Sequence, residues 1–134
     1  MKNIALFLVI ICCFQIFSCS KESESEKFKL LTGPVWASDS LLVNKEDASG
    51  PGELLENFKG DVKFNADHSG VFGAYTGRWR FAFDETQLVI SSDSLPIPLT
   101  AIIAELTQSS LKITTSYTLS ATQTLNIRMT FKAK

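Results

Sequence analysis

The chain has 134 residues, a formal net charge of −1 and three cysteines. We expect a chain of this length to form one domain at most. The near balance of 13 basic and 14 acidic residues excludes the strongly basic surface of a nucleic-acid-binding protein, so we expect no nucleic-acid partner.

The first residues have the pattern of a secretory signal peptide. Lys2 precedes an uncharged apolar run from residue 4 to residue 14. This run is too short to cross a bilayer as a helix, which needs about 20 residues, but it fits the apolar middle of a signal peptide. We therefore predict that residues 1–18 are a signal peptide and take no part in the fold.

A cysteine marks the end of this segment. Ile16, Phe17 and Ser18 precede Cys19, and this sequence resembles the lipobox of bacterial lipoproteins. The resemblance implies that the chain is cut before Cys19 and that its thiol and freed amine carry acyl chains such as palmitate. Two or more such chains hold a protein firmly on a membrane. The alternative is a signal peptide cut elsewhere, with Cys19 incidental.

Residues 19–27 are rich in Ser, Glu and Lys and bury too little apolar area to order themselves, which predicts a flexible tether. The acidic residues that follow Ser20 resemble signals that direct some lipoproteins to the outer leaflet of the outer membrane. We expect a lipid-anchored outer-membrane protein, with display at the cell surface left open. Because Cys12 and Cys13 leave with the signal, the domain at residues 28–134 has no disulfide.

Beyond residue 29, apolar residues alternate with polar ones, which is typical of β-strands with one buried face. The last segment shows it most clearly, with Leu125, Ile127, Met129 and Phe131 on one face. Turn residues, Gly77 among them, separate such segments at intervals of about ten residues. The pattern predicts eight strands, at about 35–43, 58–65, 71–76, 78–84, 87–92, 98–107, 111–118 and 124–133.

Eight short antiparallel strands form either a sandwich or a barrel. A sandwich leaves sheet edges exposed, whereas an up-and-down barrel closes them. Because no disulfide is available to join two sheets, we predict an all-β protein with an eight-stranded antiparallel up-and-down β-barrel, and keep the β-sandwich as the alternative. Loops at 44–57 and 93–99 interrupt the strands, the first of them with one helical turn near its end.

Several short segments resemble the lipocalin-like domains of small lipoproteins of the Gram-negative envelope. These segments are Leu30–Trp36, Phe64–Gly70, Thr76–Trp79, Ile103–Thr107 and Ser110–Lys112. Together they span most of residues 28–134. The resemblance implies an eight-stranded β-barrel but no particular ligand.

The alternation also predicts which side chains face the barrel interior. The predicted lining of a cavity is Phe64, Trp79, Phe81, Phe83, Ile90, Ile113, Tyr117, Ile127 and Met129. A barrel of eight strands is just wide enough either to be filled by side chains or to hold one small ligand. An open interior predicts binding of a small apolar ligand, which is our leading hypothesis. A filled interior predicts an interaction module that contacts a protein or glycan through loops 44–57 and 93–99.

One residue pair is predicted to join the ends of the domain. In a closed barrel the last strand pairs with the first, so Arg128 can lie over the ring of Trp36 as a cation–π partner. Such a structural clasp is similar to the tryptophan–arginine contact of lipocalins. The alternative is that Arg128 is an exposed cation on the wet face of its strand.

Residues for catalysis or metal binding are sparse. His68 is the single histidine and falls in a predicted hairpin turn, where we expect it to be solvated. A metal site needs several converging ligands, and the sequence after Cys19 holds no further cysteine and no second histidine. No phosphate-binding loop or catalytic triad can be assembled. We therefore expect no enzyme activity, no cofactor and no metal.

Overall fold

The computed structural model describes residues 23–134. The predicted signal peptide, Cys19 and the first part of the predicted tether lie outside the described residues. In chain order the elements are α1 (Glu26–Thr32), β1 (Trp36–Val43), β2 (Glu46–Asp47), a 3-10 turn (Glu56–Phe58), β3 (Asp61–Phe64), β4 (Ser69–Phe72), β5 (Tyr75–Ala82), β6 (Gln87–Ser91), β7 (Leu99–Leu106), β8 (Ser110–Ser120) and β9 (Gln123–Ala133).

The strands close into a barrel. Neighbours in the sheet follow the order β1, β3, β4, β5, β6, β7, β8 and β9, and β9 pairs again with β1. The short strand β2 is additional and pairs with the end of β1. Every pairing is antiparallel. The predicted all-β, eight-stranded antiparallel barrel is confirmed, and the β-sandwich alternative is wrong because the first and last strands are hydrogen-bonded to each other.

One predicted turn is in the wrong place. Gly77 lies inside β5, opposite Gly70 of β4, and the chain turns instead at Gly73 and Ala74. Gly73 has a φ of +64°, a conformation that glycine adopts readily, and its N–H bonds to the carbonyl of Asp61. At Gly77 the backbone of Ser91 comes so close that any side chain would collide with it. This glycine therefore allows a close approach of two strands and does not form a turn.

The helix α1 was not predicted from the sequence. Ser25 caps it, because its side chain accepts a hydrogen bond from the N–H of Phe28 at 3.0 Å. Leu31, three residues after Phe28, is fully buried in the core. A helical turn therefore places two apolar side chains against the barrel, although the surrounding residues are polar.

The helix closes one end of the barrel, which we call the helix end. The indole Nε1 of Trp36 donates to the carbonyl of Leu31 at 3.0 Å, and this joins the start of β1 to α1. Because neighbouring strands are antiparallel, the β3–β4, β5–β6 and β7–β8 turns lie at the same end. The opposite end, which we call the hairpin end, carries the loop at 92–98 and the tip of the β8–β9 hairpin.

One apolar cluster fills the barrel. Its fully buried side chains are Leu31, Trp36, Phe64, Phe72, Leu88, Leu111, Ile113 and Met129. Ala48, Leu55 and Phe58 join the same cluster from the long loop and the 3-10 turn. Within residues 23–134 no polar or charged side chain is buried. The domain is therefore held together by apolar packing and by the backbone hydrogen bonds of the closed sheet.

Candidate functional site

Most of the side chains predicted to line a cavity form the packed core. Phe64, Trp79, Ile90, Ile113, Ile127 and Met129 are buried, and the half-buried Phe81 packs against them. The ring of Trp79 lies edge-on to those of Phe64 and Phe81, with centroid distances of 5.6 and 5.4 Å. These aromatic pairs are at contact distance. The predicted lining residues therefore fill the interior.

Two of the predicted lining residues lie outside the core, and these predictions are wrong. Phe83 is 75% exposed because β5 ends at Ala82 and the chain then turns. Tyr117 is 47% exposed at the far part of β8, beyond the last described pairing of that strand with β7. In both cases the alternation of apolar residues continues past the point where the barrel wall ends.

The predicted clasp between Trp36 and Arg128 is also wrong, although β1 and β9 do pair. Trp36 lies opposite Ala133, while Arg128 lies opposite Leu42 near the other end of β1. Trp36 faces the core and Arg128 is exposed, so the two side chains also point to opposite faces of the sheet. Arg128 is therefore an exposed cation on the wet face of its strand, which was the alternative to the clasp.

A different cation ties the helix to the barrel. The ammonium group of Lys63 on β3 donates to the carbonyls of Thr32, Gly33 and Pro34, at 2.6, 2.9 and 3.1 Å. The last carbonyls of a helix have no partner within the helix and attract a positive charge. Lys63 therefore has a structural role at the helix end.

An open groove of about 780 Å³ lies on one side of the barrel; we call it the outer groove. Its lining residues are Leu42, Asn44, Lys45, Gln87, Thr100, Ala101, Ile102, Thr114, Thr115, Ser116, Asn126, Ile127 and Arg128. The strand register explains why residues so far apart in sequence meet. One row of directly opposed residues crosses five strands, in the order Leu42, Arg128, Thr114, Ile102 and Gln87.

This row faces away from the core. The residues that neighbour it along the strands include Leu41, Ile113 and Met129, which are almost fully buried in the core cluster. Because successive side chains of a strand point to opposite faces, Thr114 and Arg128 point outward. The groove is therefore a feature of the outer face of the sheet.

The charged residues that line the outer groove are all basic. Arg128 and Lys45 are among its lining residues, and no acidic residue is. In the part of the chain that the structure describes, the ion pairs use Lys112, Lys132 and Lys134, so both groove cations lack an acidic partner. A net positive groove on a chain of net charge −1 favours an anion.

Hydrogen bonds hold the rim of the groove in place. The backbone N–H of Asn126 donates to Oδ1 of Asn44 at 2.9 Å, and the backbone N–H of Asn44 donates to the carbonyl of Asn126 at 2.8 Å. Ser116 Oγ donates to Oδ1 of Asn126 at 3.1 Å. The polar rim beside Arg128 is therefore fixed by strand β9 and by the turn that follows β1.

Apolar surface completes the groove. Ile102 is 54% exposed at the centre of β7, and Leu42 is half-buried at the end of the row. Hydroxyl groups of Thr100, Thr114 and Ser116 lie among the same lining residues. The groove can therefore contact a molecule that carries both an anionic group and an apolar part.

Two carboxylates of the described residues have lowered pKa values, and one of them lies beside His68. His68 lies in the β3–β4 turn, where its ring packs at a tilt against that of Trp79, with a centroid distance of 5.0 Å. Beside it, hydrogen bonds from the hydroxyl and the N–H of Ser69 lower the pKa of Asp67. On β7, hydrogen bonds from Ser110 and Lys112 lower the pKa of Glu105. Both carboxylates are fixed in the charged form at neutral pH, as surface hydrogen-bond acceptors.

No group of three or more His, Cys, Asp or Glu side chains among residues 23–134 is arranged to hold a metal ion. Of the helices in the same range, none has the length and apolarity to span a bilayer. In the loops that were predicted to contact a partner, Leu54 and Ile97 are each 56% exposed. Asn44 and Lys45, at the start of the first loop, belong to the outer groove.

Sequence reasoning did not find the outer groove. Arg128 was singled out for another reason, and Leu42, Gln87 and Thr114 were not singled out at all. The sequence did hold one indication of it. In the last strand, Arg128 lies on a polar face rich in Thr and Asn, opposite the best-defined apolar face of the chain. Finding the groove also required the register of five strands.

Comparison with protein-family models gives no match, and no curated protein matches the chain significantly.

Proposed function

We propose that this protein is a membrane-anchored, non-catalytic binding protein whose ligand lies in the outer groove. The observation that supports it is the row of residues that includes Arg128, a cation without an acidic partner among the described residues, in a groove lined by no acidic residue. The packed barrel is the scaffold that holds this row. The binding site thus moves from the interior, where the sequence placed it, to the outer face.

The lining defines the class of ligand. A guanidinium group binds carboxylate or phosphate through two parallel hydrogen bonds, and Arg128 is free to do so. The hydroxyls of Thr114 and Ser116 supply further polar contacts, while Leu42 and Ile102 offer apolar area. A volume of about 780 Å³ lies within the range of small-molecule sites, about 300–1,000 Å³. We infer a small amphiphilic molecule with a carboxylate or phosphate group.

The anchor is proposed from the sequence. The resemblance of residues 16–19 to a lipobox supports acylation of Cys19, and the acidic residues after it support placement at the outer membrane. Acyl chains on Cys19 would hold the domain at the membrane without a spanning helix. Replacing Cys19 by Ala should move the protein from the membrane fraction to the soluble fraction and abolish incorporation of labelled palmitate.

The binding proposal is tested by native mass spectrometry of the full-length protein purified from its host envelope. We expect a bound anionic molecule in the wild type, and Arg128→Ala should weaken its binding by roughly 10- to 150-fold, because a hydrogen bond to a charged group is worth about 1.5–3 kcal/mol. The matched control is Arg80→Ala, since Arg80 is also an exposed arginine on the outer face but lies on β5, away from the groove. Equal binding by both variants would contradict the proposal.

A second candidate function is an interaction module that uses loops 44–57 and 93–99. The packed interior together with the exposure of Leu54 and Ile97 favours it, because apolar loop residues at a barrel end are available to a protein or glycan partner. Crosslinking in intact cells, with a photoreactive residue at position 97, tests it. A partner that is lost on Ile97→Ser but kept on Arg128→Ala would favour this function over the outer groove.

A further inference from the structure

The turn between β5 and β6 presents an aromatic ring to solvent. Phe83 is 75% exposed, the most exposed of the large apolar side chains in the described residues. Phe83, Asp84 and Glu85 have φ angles of 49°, 53° and 60°, a left-handed conformation that is unfavourable for residues other than glycine. Thr86 fixes the turn, since its N–H and its hydroxyl both donate to the carbonyl of Phe83, at 3.1 and 2.6 Å. The ring is thus held outward by a defined backbone.

The same turn is bonded to the start of α1. Ser25 Oγ donates to Oε1 of Glu85 at 2.5 Å, and Lys27 Nζ donates to the carbonyl of Glu85 at 3.1 Å. The point at which the chain enters the folded domain is therefore beside Phe83. Single exposed apolar side chains are common, so exposure by itself assigns no role to Phe83. What assigns a role to Phe83 is its position next to the point where the tether enters the folded domain.

The tether is short. Five residues separate Cys19 from Ser25, and the six steps from one Cα to the next span only about 20 Å even when the chain is fully extended. If acyl chains hold Cys19 in the bilayer, the helix end of the barrel must stay within that distance of the lipid headgroups. Phe83 lies at that end, and the hairpin end is the far end of the barrel.

We propose that the β5–β6 turn is a second membrane contact, in which the ring of Phe83 inserts at the boundary between headgroups and acyl chains of the bilayer surface. This inference rests on the proposed acylation of Cys19. The charges near the turn do not favour anionic lipid, since Glu26, Asp84 and Glu85 outnumber Lys27 and Lys29, so the contact depends on apolar insertion. Two contacts fix the orientation of the domain, whereas a tether alone leaves it free to rotate.

The test uses the mature acylated protein, from Cys19 onward, in phosphatidylcholine vesicles. A nitroxide label is attached at Phe83→Cys and, as the matched control, at Ala121→Cys in the exposed turn at the tip of the β8–β9 hairpin. Collisions of each label with lipid-soluble oxygen and with a water-soluble nickel complex are measured. We expect the oxygen-to-nickel ratio to be several-fold higher at position 83 than at position 121.

Equal ratios at the two positions in vesicle-bound protein would overturn this inference and leave the anchoring intact. Loss of the unlabelled protein from the vesicles would overturn the anchoring, and this inference with it. Circular dichroism of the labelled variants checks that both keep the fold, which we expect because both positions are exposed.

Discussion

The two faces of strands β1, β8 and β9 carry opposite chemistry on alternate residues. The inner face presents Leu41, Ile113 and Met129, each at most 2% exposed. The outer face presents residues such as Thr114 and Arg128, which line the outer groove. The same backbone hydrogen bonds position both sets. In this barrel the interior therefore supplies stability and the exterior supplies the proposed binding surface, so the two can be changed separately.

The largest expected effect on stability distinguishes alanine substitutions at two adjacent residues, one on each face of β8. Ile113→Ala should lower the free energy of unfolding by about 2–5 kcal/mol, because it removes buried apolar area and leaves a cavity. Thr114→Ala, one residue further on the outer face, should change it by less than about 0.5 kcal/mol. Urea unfolding monitored by tryptophan fluorescence measures both. Similar losses from the two variants would break the distinction between the faces.

The next largest loss of stability is expected at Lys63, a polar side chain that does stabilise the fold. Lys63→Met removes three hydrogen bonds from a charged donor to the carbonyls of the last residue of α1 and of the two residues after it, and should cost about 1.5–3 kcal/mol. Lys59→Met is the control, since Lys59 is exposed just before β3. The same unfolding measurement applies, and a loss no larger than that of the control would remove the structural role of Lys63.

A smaller effect is expected at Arg128. Because its guanidinium group has no acidic partner among the described residues, Arg128→Ala should change the free energy of unfolding by less than about 0.5 kcal/mol while weakening ligand binding. Thermal unfolding without ligand measures the first quantity. A loss well above 1 kcal/mol would show that this outer-face residue also holds the fold together.

The smallest effect is a pH dependence in the β3–β4 turn. The hydroxyl and the N–H of Ser69 hold the pKa of Asp67 below its ordinary value of 3.8, so folding favours the charged carboxylate. This contribution is complete above that value and is lost as the pH falls through the lowered pKa of the folded state. The stability difference between wild type and Asp67→Asn should therefore stay constant from about pH 7 to about pH 5 and shrink as the pH falls further towards about pH 2. A difference that stays constant with pH would contradict the charge effect.

The barrel itself could be predicted from the sequence because alternation of apolar residues is a local signal. It is strongest in β8 and β9, where the inner residues Leu111, Ile113, Ile127, Met129 and Phe131 are all buried. The helix α1 was not predicted, because the polar composition of this segment was given more weight than the spacing of its apolar residues. Ser25 followed by Phe28 and Leu31 is a capped amphipathic turn, but Ser, Glu and Lys dominate the residues before Phe28.

What could not be predicted depends on pairing between distant residues. The adjacency of β1 and β9 followed from closure, but their register did not, and so Arg128 was placed over Trp36 and not opposite Leu42. A bulge between Ser38 and Ser40 shifts that register further. Gly77 likewise has the composition of a turn, and only the nearby backbone of Ser91 shows why glycine is needed inside β5.

Pairing of β1 with β9 also governs how the chain folds. The first strand of the barrel finds one of its partners only in the last, so closure requires the C-terminal segment to be synthesised. Contacts between residues so distant in sequence form slowly, and all-β barrels of this kind typically fold in milliseconds to seconds. Until β9 arrives, β1 and β8 each present an unpaired edge that can join a neighbouring chain. A protein truncated before β9 should therefore aggregate, even though most of its apolar core residues are present.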